Sequence, residues 1–113
     1  MHFKREIYYY KNYFKEFYWK QDLPTRKKID WTIGLLRDLE VIPSKFFKNI
    51  KGSDGIDEIR IMMSRNIFRI FCFFDEKNTI IVLHGYQKKT QKTPKREIAR
   101  AERLKREYHE RKS

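Results

Sequence analysis

The chain has 113 residues and carries 27 Lys and Arg against 15 Asp and Glu, a formal net charge of +12. That length suits one domain, residues 1–113, with a single core that needs no staples. A lone cysteine, Cys72, excludes an internal disulfide and leaves no metal-type spacing. No apolar segment approaches the ~20 residues of a membrane-spanning helix, and no signal-peptide pattern opens the chain, so it reads as cytoplasmic with no membrane segment. The charge is uneven, because residues 88–113 hold 11 basic and 4 acidic side chains and alone supply +7. A field of that size draws polyanions, which leaves RNA or DNA, an anionic membrane surface and an acidic protein as partner classes.

Residues 3–10 (FKREIYYY) are aromatic and β-branched, a strand pattern. Asn12 is placed to cap a short helix, YFKEFYWK, with Tyr13 and Phe17 on one face. Leu23-Pro24 marks a break, and a second helix begins at Thr25. In it Ile29, Ile33, Leu36 and Leu39 form one apolar stripe, Gly34 offers close helix packing, and Ile42-Pro43 stops the run. The eight aromatic residues between Tyr8 and Trp19 either fill the space between helices and sheet or form a protein interface.

Residues 44–55 form a connector that ends in the turn signal KGSDG. Three strands follow at 56–63, 67–74 and 79–86, joined by the turns SRN and DEKN. Connections so short demand antiparallel neighbours, hence a β-meander. Thr93 and Pro94 then open a last helix whose apolar seam is Ile98, Ala101, Leu104 and Tyr108. The predicted fold class is α+β in the order β-α-α-β-β-β-α. An antiparallel sheet carries the N-terminal helical hairpin and the C-terminal helix against one face.

The most informative stretch is IIVLHGYQKKTQKTP at 80–94. An apolar strand runs out into His84, Gly85 and Tyr86, then into Lys88, Lys89, Thr90, Gln91 and Lys92, a combination suited to a phosphate-rich ligand. Arg60 and Arg69 lie in the two preceding strands, otherwise apolar, with Arg65 at the hairpin tip between them. An unpaired buried cation is costly, so both arginines are expected on an open face or at a groove edge. They are either phosphate ligands or ordinary charges, solvated or paired with Glu58 or Asp57. Arginine holds a phosphate through two parallel hydrogen bonds and lysine supplies a mobile point charge. His84 reads as a proton shuttle or a structural residue, and Tyr86 as a base-stacking or a packing ring. In the run IFRIFCFF, Cys72 reads as a small buried hydrophobe. There is no Walker-type loop, metal motif or nucleophile elbow, so neither a metal nor a cofactor is expected.

The runs IDEIR at 56–60, NIFRIFCFF at 66–74, IIVLHGYQKKTQKTP at 80–94 and EIARAERLKRE at 97–107 together resemble the RelE/ParE toxin superfamily, in particular its HigB-like, phage-derived branch. The resemblance implies the toxin of a type II toxin–antitoxin pair. Such a toxin is an endoribonuclease that cuts mRNA on the ribosome, without a metal, by attack of a 2′-hydroxyl on the adjacent phosphate. By position it implies that Arg60 and Arg69 bind phosphate and stabilise the transition state, with Lys88 and Lys89 as a basic strand exit. His84 and Tyr86 would serve in proton transfer or stacking, and Arg65, Lys51, Thr90, Gln91 and Lys92 would contact RNA. The implied partners are ribosome-bound mRNA and a cognate antitoxin of helix-turn-helix type. This sequence departs from the family pattern at Ile56-Asp57 and at Tyr86, and offers only Tyr108 and His109 as a late Tyr or His. A ParE-like gyrase inhibitor and a non-catalytic RNA- or ribosome-binding module share these features.

Overall fold

A computed structural model describes residues 4–112. The elements are β1 (Glu6–Tyr9), α1 (Tyr13–Trp19), α2 (Leu23–Asp38), β2 (Phe47–Asn49), β3 (Asp57–Met63), β4 (Asn66–Asp75), β5 (Thr79–Lys88) and α3 (Lys95–Lys112). They build one five-stranded sheet in the order β1-β5-β4-β3-β2. The α+β class, the meander β3–β4–β5 and the order of the three helices along the chain agree with the sequence reading. Of the strand expected over 3–10, residue 3 lies outside the described residues, and the ladder spans Glu6–Tyr9.

Several local expectations need correction. The sheet is mixed, because β1 pairs in parallel with β5. The path from β1 to β5 passes through two helices and the rest of the sheet, so it is long enough for a parallel crossover. A fifth strand, β2, sits inside the expected connector and pairs antiparallel with β3. It has three residues with no apolar alternation to reveal it. Helix α2 begins at Leu23, since Asp22 accepts a hydrogen bond from the Thr25 amide at 2.9 Å and Pro24 lies within the first turn, where no amide is needed. It ends at Asp38, before Ile42-Pro43. The Arg5 guanidinium takes the carbonyls of Leu36, Leu39 and Glu40 at 2.6–3.0 Å, a C-terminal cap supplied from 31 or more residues away. Leu39, at that terminus, is exposed. Asn12 precedes α1 but makes no side-chain cap, and a Cβ at Gly34 would meet only the flexible end of Arg37, so that glycine serves no close packing.

The helices cover both faces of the sheet, not one. Phe14 and Phe17 of α1 and Ile29, Ile33 and Leu36 of α2 pack on Ile59, Ile61, Phe68, Ile70, Cys72, Ile80 and Val82. On the opposite face Ala101 and Leu104 of α3 pack on Ile56, Phe71, Phe73, Ile81 and Leu83. Cys72 is fully buried and burial pushes its thiol pKa up, in keeping with a packing role. The N-terminal aromatics divide: Tyr10, Phe14 and Phe17 are buried, while Tyr8, Tyr9 and Trp19 are exposed.

One irregularity positions the site. Ile70 pairs with Gly85 but Cys72 pairs with Val82, so β5 carries an extra residue opposite Phe71. A bulge of this kind resets side-chain alternation. Before it, Ile81 and Leu83 face α3; after it, Tyr86 and Lys88 take over that face, and Gly85 faces α1. Without the bulge Tyr86 and Lys88 would emerge on the side of α1 and α2.

Candidate RNA-binding groove

Glu58 and Arg60 are two residues apart on β3, so they share a face, and Arg60 stands directly opposite Arg69 on β4. Arg69 in turn stands opposite Tyr86 on β5, and Lys88 follows two residues later. The ladder thus gathers Glu58, Arg60, Arg69, Tyr86 and Lys88 on the part of the α3-side face that the helix leaves open. Three formal cations meet one carboxylate there.

The arginines are not equivalent. Arg60 has 32% of its side chain exposed and Arg69 only 7%. The expectation of an open face or a groove edge holds for both, since both line one cleft, but only Arg60 is substantially exposed. The burial of Arg69 is tolerated because Glu58 lies beside it, and burial lowers the Arg69 pKa. Glu58 Oε2 is 3.6 Å from Arg69 Nε, and Glu58 Oε1 is 3.7 Å from Arg60 Nε. Both distances suit an ion pair but are too long for a hydrogen bond. Glu58 Oε2 and Arg69 Nε are accordingly buried without hydrogen-bond partners. Arg69 Nη1 donates to the Phe68 carbonyl at 3.1 Å, which fixes the direction of the guanidinium.

Tyr86 lies parallel to Phe71, with ring centroids 5.6 Å apart. Its hydroxyl is buried; Thr93 is near enough to favour the phenolate electrostatically, but the two do not meet with hydrogen-bond geometry. Burial dominates and raises the Tyr86 pKa, so the hydroxyl stays protonated at neutral pH. At Lys88 burial, reinforced by Arg69, lowers the ammonium pKa. Lys89, Thr90, Gln91 and Lys92 form an exposed loop beyond the strand, in which the Thr90 hydroxyl donates to the Lys92 carbonyl at 2.8 Å.

Other residues singled out from the sequence lie elsewhere. Arg65 is exposed at the tip of the β3–β4 hairpin, at the Lys88 end of the ladder. Lys51 sits in the β2–β3 turn at the opposite end of β3, roughly 20 Å away along a seven-residue strand. His84 is 2% exposed, packed on Phe71 at 4.9 Å and held by Glu97 of α3, with Nε2 to Oε1 at 3.1 Å. Burial and the Arg100 charge outweigh Glu97 and push the His84 pKa down to about 4. Tyr108 and His109 lie within α3, toward its C-terminal end. There the Tyr108 hydroxyl donates to Asp75 at 2.7 Å, away from the arginines.

Of the two carboxylates that the sequence offered as ion-pair partners, Glu58 is the one that approaches both arginines. Its period-two spacing to Arg60 was visible, but its reach to Arg69 depends on strand register. Sequence reading missed Lys28, Lys45 and Phe46, which line a cleft of about 440 Å³ together with Arg60 and Arg69.

A mixed five-stranded sheet flanked by an N-terminal helical hairpin and a C-terminal helix is a RelE-like α+β fold. Residues 16–106 match the model of a family described as phage-derived protein Gp49-like (DUF891). The chain belongs to this RelE-like family. No curated protein matches it. Among the described residues no helix is long and apolar enough to cross a membrane.

Proposed function

We propose that this protein is the toxin of a type II toxin–antitoxin pair, of the HigB-like branch, and that it cleaves mRNA on the ribosome. The observation that carries the reading is the Arg60–Arg69–Tyr86–Lys88 ladder, which gathers three cations and a half-buried tyrosine on one face of the sheet. The family membership supports it.

In this reading the scissile phosphate lies between Arg60 and Arg69 and is held by charge-assisted hydrogen bonds. Glu58, whose Oε1 faces the part-exposed Arg60, accepts the proton of the 2′-hydroxyl. The 2′-oxygen forms a bond to phosphorus as the bond to the 5′-oxygen breaks. Lys88, made more acidic by burial and by Arg69, gives its proton to that leaving oxygen. The products are a 2′,3′-cyclic phosphate and a 5′-hydroxyl end, so atoms and charge balance. The arginines stabilise the charge that builds on the phosphorane-like oxygens, and Tyr86, whose hydroxyl is buried, offers its ring for stacking on a neighbouring base. Lys89, Lys92 and Arg65 hold flanking phosphates. His84, buried and neutral, positions α3 through Glu97.

The test is controlled induction of the wild type and of Arg69→Ala, followed by mapping of mRNA 5′ ends. The wild type is expected to arrest growth and generate new 5′-hydroxyl ends in translated messages, and Arg69→Ala to do neither. Arrest with intact mRNA and accumulated double-strand DNA breaks would assign gyrase inhibition. RNA binding with no cleaved product would leave a binding module.

A further inference from the structure

The cleft that contains Arg60 and Arg69 extends beyond them over the β3 edge of the sheet. Phe46, Ile61, Met62, Lys28 and Lys45 also line it. The Arg60 amide donates to the Phe46 carbonyl at 2.8 Å, so this aromatic residue is fixed next to the outer arginine. Behind it the half-exposed indole of Trp31 meets the Phe46 ring edge-on at 5.4 Å. The Lys28 ammonium stands 5.0 Å from the Trp31 ring and that of Lys45 stands 5.6 Å from the Phe46 ring. Met62, which also lines the cleft, is 62% exposed.

Apolar and aromatic side chains thus share one cleft with a buried guanidinium and two ammonium groups. Its volume, about 440 Å³, is within the range of small-ligand pockets. Single-stranded nucleic acid alternates flat apolar rings with phosphates, and bases stack on aromatic side chains with little regard to sequence. An acidic peptide would satisfy the cations but would make no use of an aromatic face beside a phosphate-type arginine pair. We infer that this cleft is a nucleobase subsite. The base adjoining the phosphate at Arg60 and Arg69 lies against Phe46 and Met62, and the next phosphate is held by Lys28 and Lys45. The inference rests on the RNA-groove reading above and adds a specificity-determining pocket to it.

The experiment uses the full chain with Trp19→Phe, which leaves Trp31 as its one tryptophan. Two single-stranded RNA oligomers of equal length, one of uridines and one carrying abasic sites, are titrated at fixed salt. The uridine oligomer is expected to change Trp31 emission and the abasic oligomer to bind without doing so. Phe46→Ala is expected to weaken the uridine oligomer about tenfold and to leave the abasic oligomer unchanged. Phe46→Leu, which keeps apolar volume but removes the ring, gives the same split should the alanine variant fold poorly. Equal weakening of both oligomers, or no weakening of either, overturns the subsite. A Trp31 response to an acidic apolar peptide and not to RNA overturns it in favour of a protein partner. If both oligomers bind through Arg60 and Arg69 but Phe46 is silent, the subsite alone fails. If neither binds, or Arg69→Ala leaves binding intact, the groove reading fails with it.

Discussion

Arg60 and Arg69 stand directly opposite each other across the β3–β4 ladder, a like-charge pair held together by the single carboxylate of Glu58. Like charges in facing positions destabilise a sheet, and one of these is almost fully buried. The fold therefore keeps two positive groups together at an energetic cost, and a phosphate would relieve that cost on binding. The relation argues for a site built around an anion.

Glu58→Gln removes the only carboxylate that both arginines approach among the described residues. Breaking a buried ion pair leaves an uncompensated charge, which costs about 3–5 kcal/mol in dry interiors. Arg60 is partly solvated, so we expect a loss of about 2 kcal/mol in urea unfolding at neutral pH. Added inorganic phosphate should return part of that loss, and the same substitution should abolish cleavage.

His84 carries a pH signature. Its folded pKa is depressed from 6.5 to about 4 by burial and by Arg100. Between those values the unfolded chain binds the extra proton, so stability rises with pH. The His84 contribution is complete above pH 6.5 and is lost as pH falls toward 4. Thermal unfolding across that window should show a falling Tm in the wild type and a flatter profile in His84→Gln. Refolded His84→Gln should retain cleavage, because the ring is buried against Phe71 and tied to α3.

Gly85→Ala tests the bulge from the other side. A Cβ there would lie 2.7–2.9 Å from the Phe17 ring, including its Cγ atom, which cannot swing away. Overpacking of this kind costs about 1–3 kcal/mol. We expect a corresponding drop in urea midpoint and, if β5 shifts register in response, loss of cleavage beyond the loss of stability.

Tyr108→Phe should separate the end of α3 from the site. The hydroxyl donates to Asp75, and burial with that bond raises the Tyr108 pKa to about 12. Because the folded value exceeds the ordinary 10.0, the stabilisation is present below pH 10 and fades between pH 10 and 12. The phenylalanine variant should lose about 1 kcal/mol at neutral pH, show less alkaline destabilisation, and cleave as the wild type does.

The sequence made the meander, the α3 seam and the cationic strand exit legible, because each rests on local periodicity: Ala101 and Leu104 on one face, Ile80 to Leu83 as an apolar run. What it could not reveal depends on partners distant in the chain. The stop of α2 is written in Arg5, the parallel pairing of β1 in a crossover of about 70 residues, and β2 in its ladder to β3. The bulge opposite Phe71 matters most, since simple alternation from Ile81 and Leu83 would have sent Tyr86 and Lys88 to the wrong face. The clustering of Arg60 and Arg69 was readable from the short SRN turn; the burial of Arg69 against Glu58 was not.

The central claim is that the Arg60–Arg69 face cleaves RNA. The most direct measurement incubates purified protein with ribosomes carrying a defined mRNA and maps the products for the wild type, Arg69→Ala and Arg69→Lys. We expect discrete cuts with 2′,3′-cyclic phosphate and 5′-hydroxyl ends for the wild type, none for Arg69→Ala, and a large loss for Arg69→Lys, which keeps charge but not the bidentate fork. Uncut message with the wild type, or undiminished cutting by Arg69→Ala, would contradict the account.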